Sequence, residues 1–94
     1  MNEKTLDLRQ VHTKHDLHNL LASELDFPDW YGNNWDAFWD VIRDIDLVTL
    51  PKRLILLGFK ELSEKLPKDT EVLQKCFADL KQEYPSIVCE VIYS

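Results

Sequence analysis

The chain has 94 residues, 45% of them hydrophobic and 30% charged, which supplies one hydrophobic core and argues against a disordered chain. Its 17 acidic and 11 basic side chains leave a formal charge of −6. That balance argues against nucleic acid as a direct ligand and against an anionic membrane surface, since both need lysine and arginine in excess. No early apolar stretch could serve as a signal peptide and none has transmembrane length, so one cytoplasmic domain over residues 1–94 is expected.

In chain order, Leu6, Leu8 and Val11, separated by charged residues, predict a first strand near residues 3–9. Thr13 with Asp16 at N3 reads as a helix cap, followed by Leu17, Leu20, Leu21 and Leu25 at helical spacing. Pro28 stops that helix. Asn33 or Asn34 can cap a second one running to about Asp44, with Gly32 just outside it. Pro51 leads into Leu54-Ile55-Leu56-Leu57, an apolar run of strand length such as a strand covered on both faces shows. A short helix is expected over 60–66. A longer one after Asp69 or Thr70 carries Val72, Leu73, Cys76, Phe77 and Leu80 on one side, ends before Pro85, and precedes a last strand over 87–93. The fold class is therefore α/β, in the order β-α-α-β-α-α-β. Strands joined by helical crossovers pair in parallel, so a small three-stranded parallel sheet with about four helices is expected.

All three tryptophans fall within residues 30–39, and the whole net charge lies around them. Residues 24–46 hold seven acids (Glu24, Asp26, Asp29, Asp36, Asp40, Asp44, Asp46) against Arg43 alone, while the remaining ten acids and ten bases cancel. Rigid aromatic area beside uncompensated carboxylates suits a surface that meets a basic protein, because like-signed charge steers an oppositely charged partner in. The plainer account is a core-facing aromatic stripe with a solvated acidic flank. On the second helix Trp35, Phe38, Trp39 and Ile42 form one stripe, widened by Val41 and Ile45. Asp36 and Asp40 lie together beside it, one turn apart, where like charges destabilise a helix by roughly 0.2–0.5 kcal/mol. The helix dipole favours Asp36 in the first turn. Asp40 has no such support, and a carboxylate that local structure does not want points to function.

Enzymatic alternatives fare poorly. Two carboxylates on the same side of one helix cannot flank a substrate from opposite faces as glycosidase pairs do. There is no nucleophile–histidine arrangement and no glycine-rich phosphate loop. Cys76 and Cys89 are expected as reduced, buried thiols without zinc-ligand spacing, and His15 and His18 lack a third ligand nearby, so they are expected half-buried or on the surface and no metal or other cofactor is expected. The rival binding class is a small glycan-binding or glycan-processing domain using Trp30, Trp35 and Asp36.

The run from Phe27 to Asp40 resembles the signature segment of the barstar family, intracellular protein inhibitors of secreted ribonucleases. It carries the pattern Tyr-Gly-x-Asn-x-Asp-Ala-x-Trp-Asp at Tyr31, Gly32, Asn34, Asp36, Ala37, Trp39 and Asp40. Asp16-Leu17-His18 and Val72-Leu73-Gln74 resemble the family as well, so the likeness covers nearly the whole chain. It implies a non-enzymatic immunity protein, monomeric when alone, that plugs the basic active site of a secreted ribonuclease or related nuclease toxin in a 1:1 complex. The aspartate at Asp40 takes the place of a substrate phosphate, the one at Asp36 pairs with a basic rim residue, and the aromatic at Trp30 stacks on the catalytic histidine. Asn34 and Trp39 fall at contact positions, and Asp79 matches an acidic contact in the fourth helix. The candidate partner-binding set is Trp30, Tyr31, Gly32, Asn34, Trp35, Asp36, Trp39, Asp40, Asp44 and Asp79. Trp30 stands where tyrosine is usual and Trp35 where leucine is common. Asp79 is a carbon shorter than the usual glutamate, and the 41–50 loop is longer than the family's. These departures leave the target open.

Overall fold

The computed structural model describes residues 2–94. Strand β1 (Glu3–Asp7) is followed by a 3-10 turn (Leu8–Gln10), helices α1 (Lys14–Glu24) and α2 (Trp35–Ile42), and strand β2 (Arg53–Leu57). Helices α3 (Phe59–Lys65) and α4 (Pro67–Glu83) then lead to strand β3 (Glu90–Tyr93). The three strands are parallel in the order β1-β2-β3, with Lys4 opposite Leu54 and Leu54 opposite Val91. Order and connectivity are those expected from the hydrophobic pattern.

Both crossovers step across the sheet in the same direction, so right-handed connections put all the helices on one face. The burial of β2 agrees. Leu54 and Leu56 are fully buried, whereas Ile55 and Leu57 are half-buried, so this strand is not covered equally on both faces as its continuous apolar run suggested. Leu6, Leu17, Leu21, Phe38, Ile42, Leu62, Leu73 and Leu80 close the core over them. Apolar burial of this kind is the main favourable term in folding.

Local chemistry fixes the ends of the helices. The Asp16 N–H donates to Thr13 Oγ1 at 3.0 Å, and Asp16 Oδ2 accepts from the His12 N–H at 3.2 Å, a reciprocal cap on α1. Asn34, rather than Asn33, caps α2, accepting the Ala37 N–H at 2.7 Å. Helix α4 starts at Pro67, ahead of the expected Asp69 or Thr70, because proline's fixed φ and missing N–H suit the first helical position. Thr70 is buried instead, its hydroxyl donating to the Leu66 carbonyl at 3.0 Å. Gly58 opens α3 at φ +81°, where a Cβ would come within 2.7 Å of Arg9 Cγ. Strand β3 starts at Glu90, later than expected, since the Ile87 N–H still closes a turn onto the Tyr84 carbonyl at 2.9 Å.

Three expectations need correction. Helix α2 ends at Ile42, so Ile45 does not widen the core stripe and is 72% exposed. His18 is fully buried, not half-buried or on the surface. Cys89 is half-buried where full burial was expected, while Cys76 is buried; neither is in a disulfide.

Candidate partner-binding site

Helix α2 has eight residues and divides cleanly. Phe38, Val41 and Ile42 enter the core, while Asp36 and Asp40 face solvent on the opposite flank. Trp35 and Trp39 sit between the two, half-buried. Trp35 Nε1 donates to Asp69 Oδ1 at 2.9 Å, and its ring lies 4.3 Å from that of His18. Its indole therefore ties the starts of α2 and α4 together, which leaves Trp30 as the exposed stacking surface for any glycan. Trp39 packs edge-on against Tyr84 at 6.1 Å and carries the Arg43 guanidinium over its ring at 5.7 Å.

Asp40 Oδ1 accepts a hydrogen bond from the same guanidinium at 2.7 Å, yet 64% of its side chain is open to solvent. Arg43 thus offsets the like-charge contact with Asp36 without burying the carboxylate. Asp36 has no ion-pair partner among the described residues. Asp44 accepts the Asp46 N–H at 3.0 Å on its side chain, and its carbonyl receives the N–H groups of Leu47 and Val48, so it builds the turn after α2.

The loop over residues 25–34 brings Trp30 to this surface. Phe27 is buried and stacks on Tyr31 at 4.9 Å, while Trp30 is 65% exposed. Tyr31 Oη and His18 Nδ1 share a 2.6 Å hydrogen bond inside the protein, and burial pushes the phenol pKa up. Asn33 takes the left-handed conformation at φ +51° and donates to Asn19 Oδ1 at 3.0 Å. At Gly32 an added Cβ would lie 3.1 Å from Asn34 Nδ2, whose amide donates to the Gly32 carbonyl at 3.2 Å. The Asn34 side chain is thus engaged at both ends in forming the loop and capping α2.

Trp30, Asp40 and Asp44 line one shallow groove of about 580 Å³ with Arg43, Ile45 and Leu47. Three of the predicted site residues are therefore gathered there, and Asp36 lies one turn from Asp40 on the same helix. Asp79 lies on α4 outside the groove, half-exposed and paired with Lys75 at 3.1 Å. Ile45 and Leu47 escaped sequence reading because the helical stripe was extended past Asp44. The signal for them was the poor helix-forming stretch Asp44-Ile45-Asp46, which follows the end of α2 and leaves Ile45 and Leu47 outward.

Among the described residues no group of three or more His, Cys, Asp or Glu could hold a metal, and no helix is long and apolar enough to cross a membrane. Residues 1–91 match the barstar family, described as "Barstar (barnase inhibitor)". The chain is also 35% identical over 92 residues to the "Putative ribonuclease inhibitor YrdF" of Bacillus subtilis strain 168, covering 94% of this chain and 99% of that protein. With the β-α-α-β-α-α-β fold and the acidic, aromatic helix already in place, these matches show that the chain belongs to the barstar family.

Proposed function

We propose that the protein inhibits a ribonuclease of the barnase type by direct occlusion, as a monomer in a 1:1 complex, and protects the cytoplasm of the cell that makes the enzyme. One observation carries this reading. A mid-helix carboxylate, Asp40, and an indole, Trp30, are both exposed on one groove, in the segment that holds all six net negative charges. A ribonuclease pocket that stabilises phosphate is cationic, and a carboxylate held by a helix can stand where the phosphate would. Asp40 exchanges its exposed pair with Arg43 for hydrogen bonds to the partner's cations, which strengthen as the interface excludes water. Arg43, 37% exposed, keeps its contact with the Trp39 ring when the pair opens. Trp30, with Ile45 and Leu47 across the groove, supplies the apolar contact that seals it.

The occluding groups do no chemistry of their own, and inhibition is stoichiometric. Titrating barnase activity on an RNA substrate with the protein tests this. A linear fall to zero at one equivalent is expected. Unchanged activity at a tenfold excess over barnase would sink the assignment to this class of target.

A further inference from the structure

We infer that His18 is a positioning residue for the partner surface: its hydrogen bond to Tyr31 fixes the loop so that Trp30 stands beside Asp40. The inference deepens the inhibitory function and rests on it. His18 is fully buried, an unusual place for a polar side chain on a helix whose other buried positions are leucines. Only Nδ1 is used, in the 2.6 Å bond to Tyr31 Oη; Nε2 is buried and has no partner. A leucine would fill the same space without an orphan nitrogen, so core packing does not call for histidine here.

What the histidine secures is the loop. Trp30 is exposed, and its place is set by its neighbours. Tyr31 follows directly; its ring packs on Phe27 at 4.9 Å, and its hydroxyl meets the His18 nitrogen at 2.6 Å and, more weakly, the Asn34 carbonyl at 3.5 Å. The Tyr31 N–H also turns back to the Pro28 carbonyl at 3.0 Å, so fixing Tyr31 fixes the turn that carries Trp30. Trp35 packs on the imidazole at 4.3 Å and is itself anchored on Asp69. The fully buried ring is thus the point at which α1, the loop and α2 are tied together.

Three variants test this with barnase as the probe. Tyr31→Phe removes the hydroxyl and keeps the ring. His18→Leu keeps apolar volume and removes the nitrogen. His18→Asn keeps a polar atom where Nδ1 stands and discards the rest of the imidazole. Tyr31→Phe and His18→Leu should weaken binding about tenfold, mostly through faster dissociation, the scale of one net hydrogen bond. His18→Asn should bind within about threefold of wild type, which a purely structural role for the imidazole would not allow. In the uncomplexed protein, Tyr31 amide exchange should accelerate in the first two variants and stay slow in His18→Asn. The Trp30 resonance of 5-fluorotryptophan-labelled protein should narrow toward a mobile line in the same two. Should His18→Leu fail to fold, Tyr31→Phe and His18→Asn decide together, since only the second leaves the Tyr31–Asn34 contact in place. Wild-type affinity and Tyr31 protection retained in Tyr31→Phe would overturn the inference. Failure of the wild-type protein to bind barnase would instead remove the barnase-type target, with exchange and fluorine spectra still deciding whether His18 sets Trp30.

Discussion

The two crossovers of this sheet do the same topological job with different material. Between α3 and α4 only Leu66 intervenes, and both helices cover the core with nearly charge-balanced sequence. The first crossover spends residues 25–34 between its helices and 43–52 after them, and an eight-residue α2 stands between these stretches. Residues 25–52 carry six acids against Arg43 and Lys52, and every tryptophan lies there. Leu25, Phe27, Val48 and Leu50 of these stretches belong to the core. The exposed acids and the exposed indole of Trp30 do not, and they are accounted for by what the surface meets.

The largest effect expected from breaking this division is at Asp40. Its carboxylate is exposed and pairs with Arg43 within one turn, so Asp40→Ala should move the thermal midpoint by no more than about two degrees. Affinity for the nuclease should fall by roughly 2–5 kcal/mol, a range measured partly on the family's namesake complex. Calorimetric unfolding and titration of the same preparation read both numbers. A large drop in midpoint with intact affinity would place Asp40 on the structural side.

Acid should separate the crossovers in the uncomplexed protein. Burial is the main cause that lowers the His18 pKa from 6.5 to about 4; the Lys14 and His15 charges push the same way, and Asp69 opposes them. The unfolded chain therefore binds the proton first. Stability from this group is fully present above about pH 6.5 and is lost progressively as pH falls toward about 4. His18 joins α1 to the 25–34 loop, so amide protection, corrected for the slower intrinsic exchange in acid, should fall between pH 6.5 and 4 in α1 and that loop ahead of α3 and α4. A uniform fall in protection across the chain would deny the first crossover its separate weakness.

The tryptophans sharpen the same contrast within one helix and its loop. Trp30→Ala should cost about 2 kcal/mol of affinity and little stability, as for an exposed aromatic anchor. Trp35→Phe should leave affinity near wild type and lower stability by about 1 kcal/mol, because the Asp69 carboxylate loses its indole donor. Reversal of the two outcomes would exchange their roles.

Much of the fold was legible because it rests on patterns that sequence displays directly. Leu17 and Leu21, Leu54 and Leu56, and Leu73, Cys76, Phe77 and Leu80 have the spacing of the elements they occupy, and the cap of α2 is narrowed to Asn33 or Asn34, whereas the start of α4 at Pro67 lies ahead of the expected Asp69 or Thr70. The boundary at Ile42 was less legible, since periodicity continues in the sequence to Ile45 after the helix has stopped. In the site, Asp40 and Trp30 stood out because local structure has no use for them. The assignment of Trp35 to an inward hydrogen bond depends on Asp69, 34 residues away, a separation that no local pattern reports. His18 was misplaced for the same reason, its partner Tyr31 lying 13 residues on.

Salt should act on the first crossover alone. Association with a basic nuclease should slow about tenfold between about 25 and 500 mM salt while dissociation changes less, because the Debye length contracts below the approach distance. Neutralising Asp29 and Asp44 together should flatten that dependence. Neutralising Glu61 and Glu64 on α3, in the charge-balanced crossover, should not. A flat salt profile in the wild-type protein would remove steering from the mechanism.

The smallest effect belongs to Asp79, the one candidate on the second crossover, and it tests how strictly the division holds. Asp79 is half-exposed and bound to Lys75 four residues earlier, with the base N-terminal to the acid, the weaker orientation of such pairs on a helix. A partner's cation can therefore displace Lys75 at little cost. If α4 contributes a contact, Asp79→Asn should raise the dissociation rate by the roughly 0.2–1 kcal/mol typical of an exposed ion pair. Lys75→Ala should lower it, since the carboxylate is then released to the partner. Removing Lys75 also makes the protein more acidic and speeds association by steering, so only the dissociation rate, measured at high salt, separates contact from field. Dissociation unchanged in both variants would confine the binding surface to the first crossover and leave α4 as scaffold.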